Sequence, residues 1–187
     1  SDPAVANKPI LCYSYSEAVA AFGYSDNWKD YTLCEAIYSQ FALFAVSPIV
    51  FVNVLDISTH KTAVAGSSKN IIDGVVKIAE SVILESLKVK LTQEGQDLVK
   101  GVDYEALYND DEIVVITPLS GGQITAGQTS LYISYDKLNP SAVSADDIIG
   151  GIAISTGAVE GLEALNKVFP LYGLVPGMVL APGWTQN

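Results

Sequence analysis

Few side chains in this sequence have the types and spacing that catalysis requires. His60 is the single histidine, which excludes a zinc site built from several histidines. A Ser-His-Asp triad would have to use His60, which lies in a polar stretch typical of a loop. Cys12 and Cys34 lie far apart without a CxxC motif, and Glu35 beside Cys34 disfavours a reactive thiolate. We therefore expect two buried free thiols in a reducing compartment.

Acidic and glycine-rich runs could bind ions, but their spacing favours turns and helix ends. The acids at 110–112 lack the EF-hand pattern and are typical of a turn, and the run 121–127 lacks the Lys-Ser/Thr of a phosphate loop. The adjacent acids at 146–147 cannot face each other on a helix, so they indicate a helix N-terminus. An α/β enzyme using Asp56 or Asp103 would need a deep pocket around a perturbed carboxylate. We therefore expect no catalytic residue, no cofactor and no metal site.

The composition limits the partners that the protein could bind. The chain has 187 residues, 49% of them apolar, and a mean hydropathy of +0.31, which argues against disorder. Ten lysines and no arginine stand against 21 acids, for a net charge of −11. We therefore expect neither a nucleic acid nor an anionic membrane surface as partner. The apolar stretch 41–55 is broken by Ser47, Pro48 and Asn53 and is too short for membrane insertion.

Charge divides the chain into three blocks. Residues 58–142 carry eleven acids and seven lysines, whereas residues 1–57 and 143–187 are apolar and punctuated by glycine and proline. This pattern predicts a solvated domain inserted into an apolar core that both chain ends build. The predicted fold is α+β or α/β, with an α/β core from residues 1–57 plus 143–187. The inserted domain at 58–142 is predicted to be all-β, as a sandwich or small barrel.

Hydrophobic periodicity assigns elements to the first block. A strand is predicted at 9–13, followed by a helix that the capping box 14–17 opens. A second box at 32–35 opens a helix that must end before Pro48. The β-branched run 49–55 is typical of a strand covered on both faces. Strand, helix and strand in this order predict a parallel pair with a right-handed crossover.

The other two blocks have the patterns of short strands and helices. Residues 65–70 are typical of a linker. Strands are predicted after it at 87–91, 102–108, 113–117 and 130–135. In the last block, Ser144 is predicted to cap a short helix, and 159–168 is predicted as a helix stopped by Pro170. Residues 174–180 are predicted as a bulged or edge strand.

Several segments resemble the contractile tail sheath proteins of bacteriophages and phage-tail-like particles. The most specific are YGLVP at 172–176 and LAPGW at 180–184. Further segments that carry the resemblance lie at 7–11, 18–22, 48–54, 100–104, 133–135, 147–151 and 156–165. The resemblance covers nearly the whole chain and is strongest at its two ends. None of these segments has catalytic chemistry.

The resemblance implies a structural subunit of a phage or prophage virion tail, made in the bacterial host cytoplasm. Copies of such a subunit self-assemble around the tail tube protein, and their contraction drives the tube through the host envelope for genome ejection. Family members add strands to neighbouring subunits through arms at both termini. They also continue past the LAPGW segment into another α/β domain. We therefore expect a fragment that is monomeric or weakly associating on its own.

An alternative is an adhesion or carbohydrate-binding module carried by the β block. It would need an exposed aromatic platform, for which Tyr104, Tyr108, Tyr132 and Tyr135 are the candidates. The first block holds a second group of tyrosines, at positions 13, 15, 24, 31 and 38. Tyrosine is enriched at protein interfaces and also packs in cores, so both uses stay open for this group.

Overall fold

The computed structural model describes residues 5–152, 154 and 157–184. The strands in chain order are β1 (Ile10–Cys12), β2 (Ile49–Phe51), β3 (Lys61–Asn70), β4 (Val76–Ile78), β5 (Lys88–Lys90), β6 (Tyr104–Tyr108), β7 (Val114–Pro118), β8 (Ser130–Leu138), β9 (Gly151–Ile152) and β10 (Val159–Glu160). The α-helices are α1 (Tyr15–Phe22), α2 (Thr32–Ile37), α3 (Ala145–Ile149) and α4 (Val168–Tyr172). A π-helix spans Tyr38–Leu43, and 3₁₀-helices span Leu84–Ser86, Pro140–Ala142 and Gly161–Lys167.

The chain divides into two compact units. The first unit consists of the residues up to His60 together with those from Asn139 onward, and the second unit is Lys61–Leu138. Short helices lie in the first unit and small antiparallel sheets in both, with no closed barrel in the described part of the chain. The predicted mixed α and β class is therefore confirmed.

The sheet of the first unit pairs β1 with β2 in antiparallel register, with Ile10 opposite Phe51 and Cys12 opposite Ile49. The predicted parallel pair is therefore wrong. A single crossover helix would return the chain to the start of β1, but two helices, α1 and α2, lie between the strands. The connection therefore differs from the single crossover of a parallel pair, and β2 begins beside the end of β1 and runs the other way.

Helix α1 begins and ends where its sequence signals predict. The Ser14 Oγ accepts a hydrogen bond from the Glu17 N–H at 3.2 Å, and Gly23 ends the helix with a φ of 75°. The predicted cap at Thr32 is wrong, because Thr32 is already helical and Tyr31 takes the cap position, where its side chain does not cap the helix. Helix α2 runs directly into the π-helix and ends before Pro48, as predicted.

The core of the first unit is small and built from the elements of the first block. Its buried side chains are Cys12, Ala18, Phe22, Ile37 and Phe51. The rings of Phe22 and Phe51 meet edge to face with centroids 6.1 Å apart. Cys12 and Cys34 are both buried and do not form a disulfide, as predicted, and burial raises the pKa of the Cys12 thiol.

The helix predicted at 159–168 is replaced by three shorter elements: β10, a 3₁₀-helix and the start of α4. Gly161 has a φ of 58°, and a Cβ there would lie 2.5 Å from the Ile148 carbonyl oxygen. This close approach keeps the segment out of a regular α-helix. Pro170 does not end the helix either. It lies in the first turn of α4, where a backbone N–H has no helical partner to lose.

Hydrogen bonds join the two chain ends within the first unit. The Asn7 N–H donates to the Asn53 carbonyl oxygen at 2.7 Å, and the Asn7 Oδ1 accepts from the Gly161 N–H at 3.0 Å. The Tyr172 hydroxyl donates to the Pro9 carbonyl oxygen at 2.8 Å. Segments more than 150 positions apart in sequence are therefore held against each other.

The second unit consists of two three-stranded antiparallel sheets, with strand orders β3-β8-β5 and β4-β7-β6. The four strands predicted from alternating patterns correspond to β5, β6, β7 and β8 within a few residues. Inward-facing side chains from both sheets build one core: Val76, Ile78, Tyr104, Ala106, Val114 and Ile116 from one, and Val89, Leu131, Ile133 and Tyr135 from the other. This arrangement has the character of a sandwich.

The linker predicted at 65–70 is wrong, because these residues belong to β3. Strand β3 pairs with β8 over its whole length, with an irregularity between Val64 and Ser67. It lies at the edge of its sheet and is mostly exposed, so its positions do not require large apolar side chains and can hold small polar ones. Gly66 leaves room for a neighbouring ring, since a Cβ there would overlap the Tyr132 Cε1.

Two isoleucines of the second unit are expected to contribute very differently to stability, because only one of them lies in the core between the sheets. Ile133 is fully buried and Ile72 is exposed. We expect Ile133→Ala to lower the free energy of unfolding by about 2–5 kcal/mol, since it leaves a cavity. The matched control, Ile72→Ala, should change it by less than about 0.5 kcal/mol. Urea unfolding followed by circular dichroism measures both, and equal effects would contradict this description of the core.

Candidate functional site

Catalytic and metal-binding clusters are not found among the described residues. No group of three or more histidine, cysteine, aspartate or glutamate side chains is placed to hold a metal ion there. A search of the same residues finds no helix with the length and hydropathy needed to cross a membrane.

His60 lies in a turn, as its polar surroundings indicate, but the residue is only 7% exposed. The Asp56 N–H donates to its Nδ1 at 3.0 Å, so in the neutral ring the proton must lie on Nε2. That nitrogen lies 3.5 Å from the Asp147 Oδ1. Both ring nitrogens therefore have structural partners, and His60 is not placed as a general base.

Asp147 connects His60 to the start of α3. The backbone N–H and the hydroxyl of Ser144 each donate to the Asp147 Oδ2 at 2.7 Å, which completes a capping box. The Ser144 hydrogen bond, and after it the nearby His60, hold the pKa of Asp147 below its usual value. The backbone of His60 also accepts from the Asn139 N–H at 2.9 Å. We call His60, Asp56, Asn139 and Asp147 the His60 cluster, and its role is structural.

Asp103 is 2% exposed and accepts hydrogen bonds from two separate loops. Its Oδ2 accepts from the Val99 N–H at 2.8 Å, and its Oδ1 accepts from the Gln123 N–H at 2.9 Å. These hydrogen bonds lower the pKa of Asp103, and the bond from Val99 has the largest effect. Asp56 is used locally as well, since its Oδ1 accepts from the N–H and hydroxyl of Ser58. Neither carboxylate is placed for acid–base chemistry.

The four tyrosines proposed as a carbohydrate platform do not form one. Tyr104 and Tyr135 face inward and are buried in the core of the second unit. Burial raises the pKa of Tyr135 to about 12, and its hydroxyl donates to the Glu80 Oε1 at 2.9 Å. Tyr108 is partly exposed, but its hydroxyl donates to the Val82 carbonyl oxygen. The alternation that made these strands recognisable also turns half of their aromatic rings inward.

Three of the five tyrosines in the first block pack against other aromatic rings. The ring of Tyr15 contacts those of Tyr24 and Tyr38, with centroids 5.5 Å and 6.4 Å apart. Trp28 lies 5.4 Å from Tyr38. Tyr13, in contrast, is exposed. Packing therefore accounts for most of this group. Tyr13 remains available for an interface, together with exposed apolar residues that sequence reasoning did not single out.

The feature that sequence reasoning missed is an exposed apolar surface on the first unit. Twenty large apolar side chains are exposed in the described part of the chain, and fifteen of them belong to this unit. They include Phe169 and Leu171 on α4, and Val175, Met178 and Leu180 beyond it. The signal in the sequence is the absence of any charged residue between Val168 and Trp184. We call Leu174–Leu180 the apolar strap.

The apolar strap is fixed at both ends and unpaired between them. Tyr172 bonds to Pro9 on one side, and on the other a Cβ added to Gly183 would lie 3.2 Å from the Thr32 Cγ2. The strand predicted at 174–180 is wrong: this segment makes no backbone–backbone hydrogen bond to another described residue. Pro176 has no backbone N–H to donate within this segment.

Comparison with known proteins gives one informative similarity. The chain is 30% identical over 185 residues to the tail sheath protein of Burkholderia phage BcepMu. The match covers 97% of this chain and 37% of that protein, so the chain spans little more than a third of the relative's length. No family model matches the chain. No solved structure matches it either. The similarity supports the relationship to tail sheath proteins that the sequence motifs predicted.

The two adjacent acids of α3 provide a test of the His60 cluster. Asp147 holds Ser144 and faces His60, whereas Asp146 is exposed. We expect Asp147→Ala to lower the free energy of unfolding by about 1 kcal/mol, because it removes the acceptor of the Ser144 hydrogen bonds in the capping box. Asp146→Ala, the matched control, should have less than half of that effect. Thermal unfolding measures both, and an equal loss from the two variants would contradict the assigned role.

Asp103 predicts a pH dependence of stability. Because its pKa is lowered in the folded protein, the carboxylate stabilises the fold at neutral pH. This stabilisation is lost as the pH falls below the ordinary value of 3.8 and through the lowered one. We therefore expect Asp103→Asn to be less stable than the wild type at pH 7, with a difference that shrinks toward pH 3. Urea unfolding across this range measures it, with the exposed Asp110→Asn as control, and a gap that stays constant would refute the assignment.

Proposed function

We propose that this chain is a structural part of a bacteriophage tail sheath. The observation that carries the proposal is the similarity to a tail sheath protein over nearly the whole chain. The roles found for His60, Asp56 and Asp103 support it, because each side chain is held by structural contacts rather than presented to a substrate. A structural subunit needs surfaces for its neighbours and no catalytic group.

We propose further that copies of the protein polymerise around a tail tube and contract. Contraction requires two packings of the same subunits that differ in free energy. The change from the packing of higher free energy to the packing of lower free energy supplies the work. The net charge of −11 would keep free subunits apart in the host cytoplasm until assembly begins. The product would be a virion or prophage-encoded tail that delivers a genome.

The two parts of the chain take different roles in this proposal. The α/β part, residues 1–57 plus 143–187, supplies contacts between copies, and the inserted β domain, residues 58–142, faces solvent. Two observations support the division. Most exposed large apolar side chains belong to the first unit, and seven of the ten lysines lie in the second. On its own, the chain would be monomeric or weakly associating.

Immunogold electron microscopy tests the proposal directly. Antibodies raised against this chain should label purified tailed particles from the source culture along the whole length of the tail. Repeated label along the tail is expected because a sheath contains many copies of one subunit. Label confined to the tail tip or fibres would favour the adhesion alternative instead. Particles that carry no label would overturn the sheath proposal, and pre-absorption of the antibody with the chain controls for specificity.

A further inference from the structure

We infer that the Glu105 side chain blocks the open edge of β6 and keeps this strand from pairing with a strand of another chain. Strand β6 ends the sheet order β4-β7-β6, so no other described strand pairs with its outer side. An open edge presents N–H and carbonyl groups that can pair with a foreign strand, and proteins block such edges with charged side chains. The inference concerns the second unit alone and does not depend on the sheath function.

The hydrogen bonds between β6 and β7 identify the groups that face the open edge. The Asn109 N–H donates to the Ile113 carbonyl oxygen at 3.0 Å. At the other end, the Leu119 N–H donates to the Asp103 carbonyl oxygen at 2.9 Å. In an antiparallel pair, hydrogen-bonded positions alternate with positions whose backbone groups point the other way. By this alternation and the strand register, the N–H of Ala106 points away from β7, toward the open edge.

A side chain occupies the position where the next strand would bind. The Ala106 N–H donates to the Glu105 Oε1 at 3.2 Å, and Ala106 is fully buried although it lies on an edge strand. The Lys100 Nζ lies 3.6 Å from the same Glu105 oxygen, which helps to hold the carboxylate in place. An incoming strand would have to displace Glu105 before it could accept a hydrogen bond from Ala106.

The beginning of β6 is blocked by the backbone of the preceding turn. The Gly101 N–H donates to the Tyr104 carbonyl oxygen at 2.8 Å. Tyr104 lies two positions before Ala106, so its backbone groups face the same edge. A foreign strand would therefore meet two occupied positions in succession. Of the two, only the Glu105 contact comes from a side chain, so a single substitution can remove it.

The side chains beside this edge would favour pairing if the block were absent. Leu107 is 60% exposed, and Tyr108 is partly exposed. Apolar and aromatic side chains next to a newly paired strand gain cross-strand contacts, which add to the backbone hydrogen bonds. A second copy of β6 is the strand expected there, because two identical edges can pair in antiparallel register. In the proposed sheath, the block would keep the second units of crowded copies from joining at this edge.

Sedimentation velocity of variants over a wide range of protein concentrations tests the inference. Glu105→Ala removes the acceptor, and we expect it to self-associate at least about tenfold more tightly than the wild type. Glu105→Gln keeps an acceptor oxygen and loses the charge, so it should associate like the wild type. The matched control, Glu94→Ala, removes the same charge from an exposed turn of the second unit and should also associate like the wild type.

Hydrogen exchange followed by nuclear magnetic resonance locates the new contact. As the concentration of Glu105→Ala rises, the backbone amides of β6 should exchange more slowly, because they become paired across the edge. Adding Leu107→Lys to Glu105→Ala should return the protein to the association of the wild type, since a lysine on an edge strand opposes pairing.

Three results would overturn the inference. They are a Glu105→Ala protein that associates no more than the wild type, association without added protection of β6, and equal association of Glu94→Ala, which would assign the effect to net charge. Circular dichroism and thermal unfolding check that each variant is folded. If Glu105→Ala does not fold, Glu105→Thr, which also lacks the carboxylate and favours strands, is judged by the same criteria. The labelling of tails tests the sheath function separately, so either proposal can fail without the other.

Discussion

The first unit depends on the hydrogen bonds that join the two ends of the chain. A two-stranded sheet such as β1-β2 is only marginally stable by itself in water. Asn7 compensates for this by bonding to two distant segments at once, with its N–H to Asn53 and its side chain to Gly161. Tyr172 adds a third connection, to Pro9. These bonds therefore join the last part of the chain to the first block, whose residues build the small core around Ile37.

This closure explains how the chain accommodates a second unit between its ends. In the first unit, His60 accepts a hydrogen bond from Asn139, so the chain leaves and returns at adjacent points. In the second unit, Lys61 lies opposite Leu138 in the β3-β8 pair. The inserted segment thus begins and ends with paired residues, as expected of a unit with its own core. Neither core needs side chains from the other.

The sequence predicted the elements whose signals are local. The alternation at 130–135 reflects a strand with one buried face, and Ser14 and Ser144 cap helices because their hydroxyls reach nearby N–H groups. Long-range pairing was not predictable in the same way. Nothing local distinguishes the small polar residues of β3 from a linker, since an edge strand is held by the backbone of β8. That residues 174–180 have no strand partner among the described residues is likewise a property of the whole fold.

The two units use their apolar residues in different ways, and this difference connects folding to assembly. The second unit directs residues such as Ile133 and Val114 into a core between its own sheets, so most of its hydrophobic free energy stabilises the monomer. The first unit leaves Phe169, Val175 and Met178 mostly exposed, so these side chains contribute little to its folding. In the proposed sheath function, their burial would be available to stabilise contacts between copies without altering either core. A subunit that stays folded while its neighbours rearrange would benefit from this separation, because changes in packing would then act on surface residues.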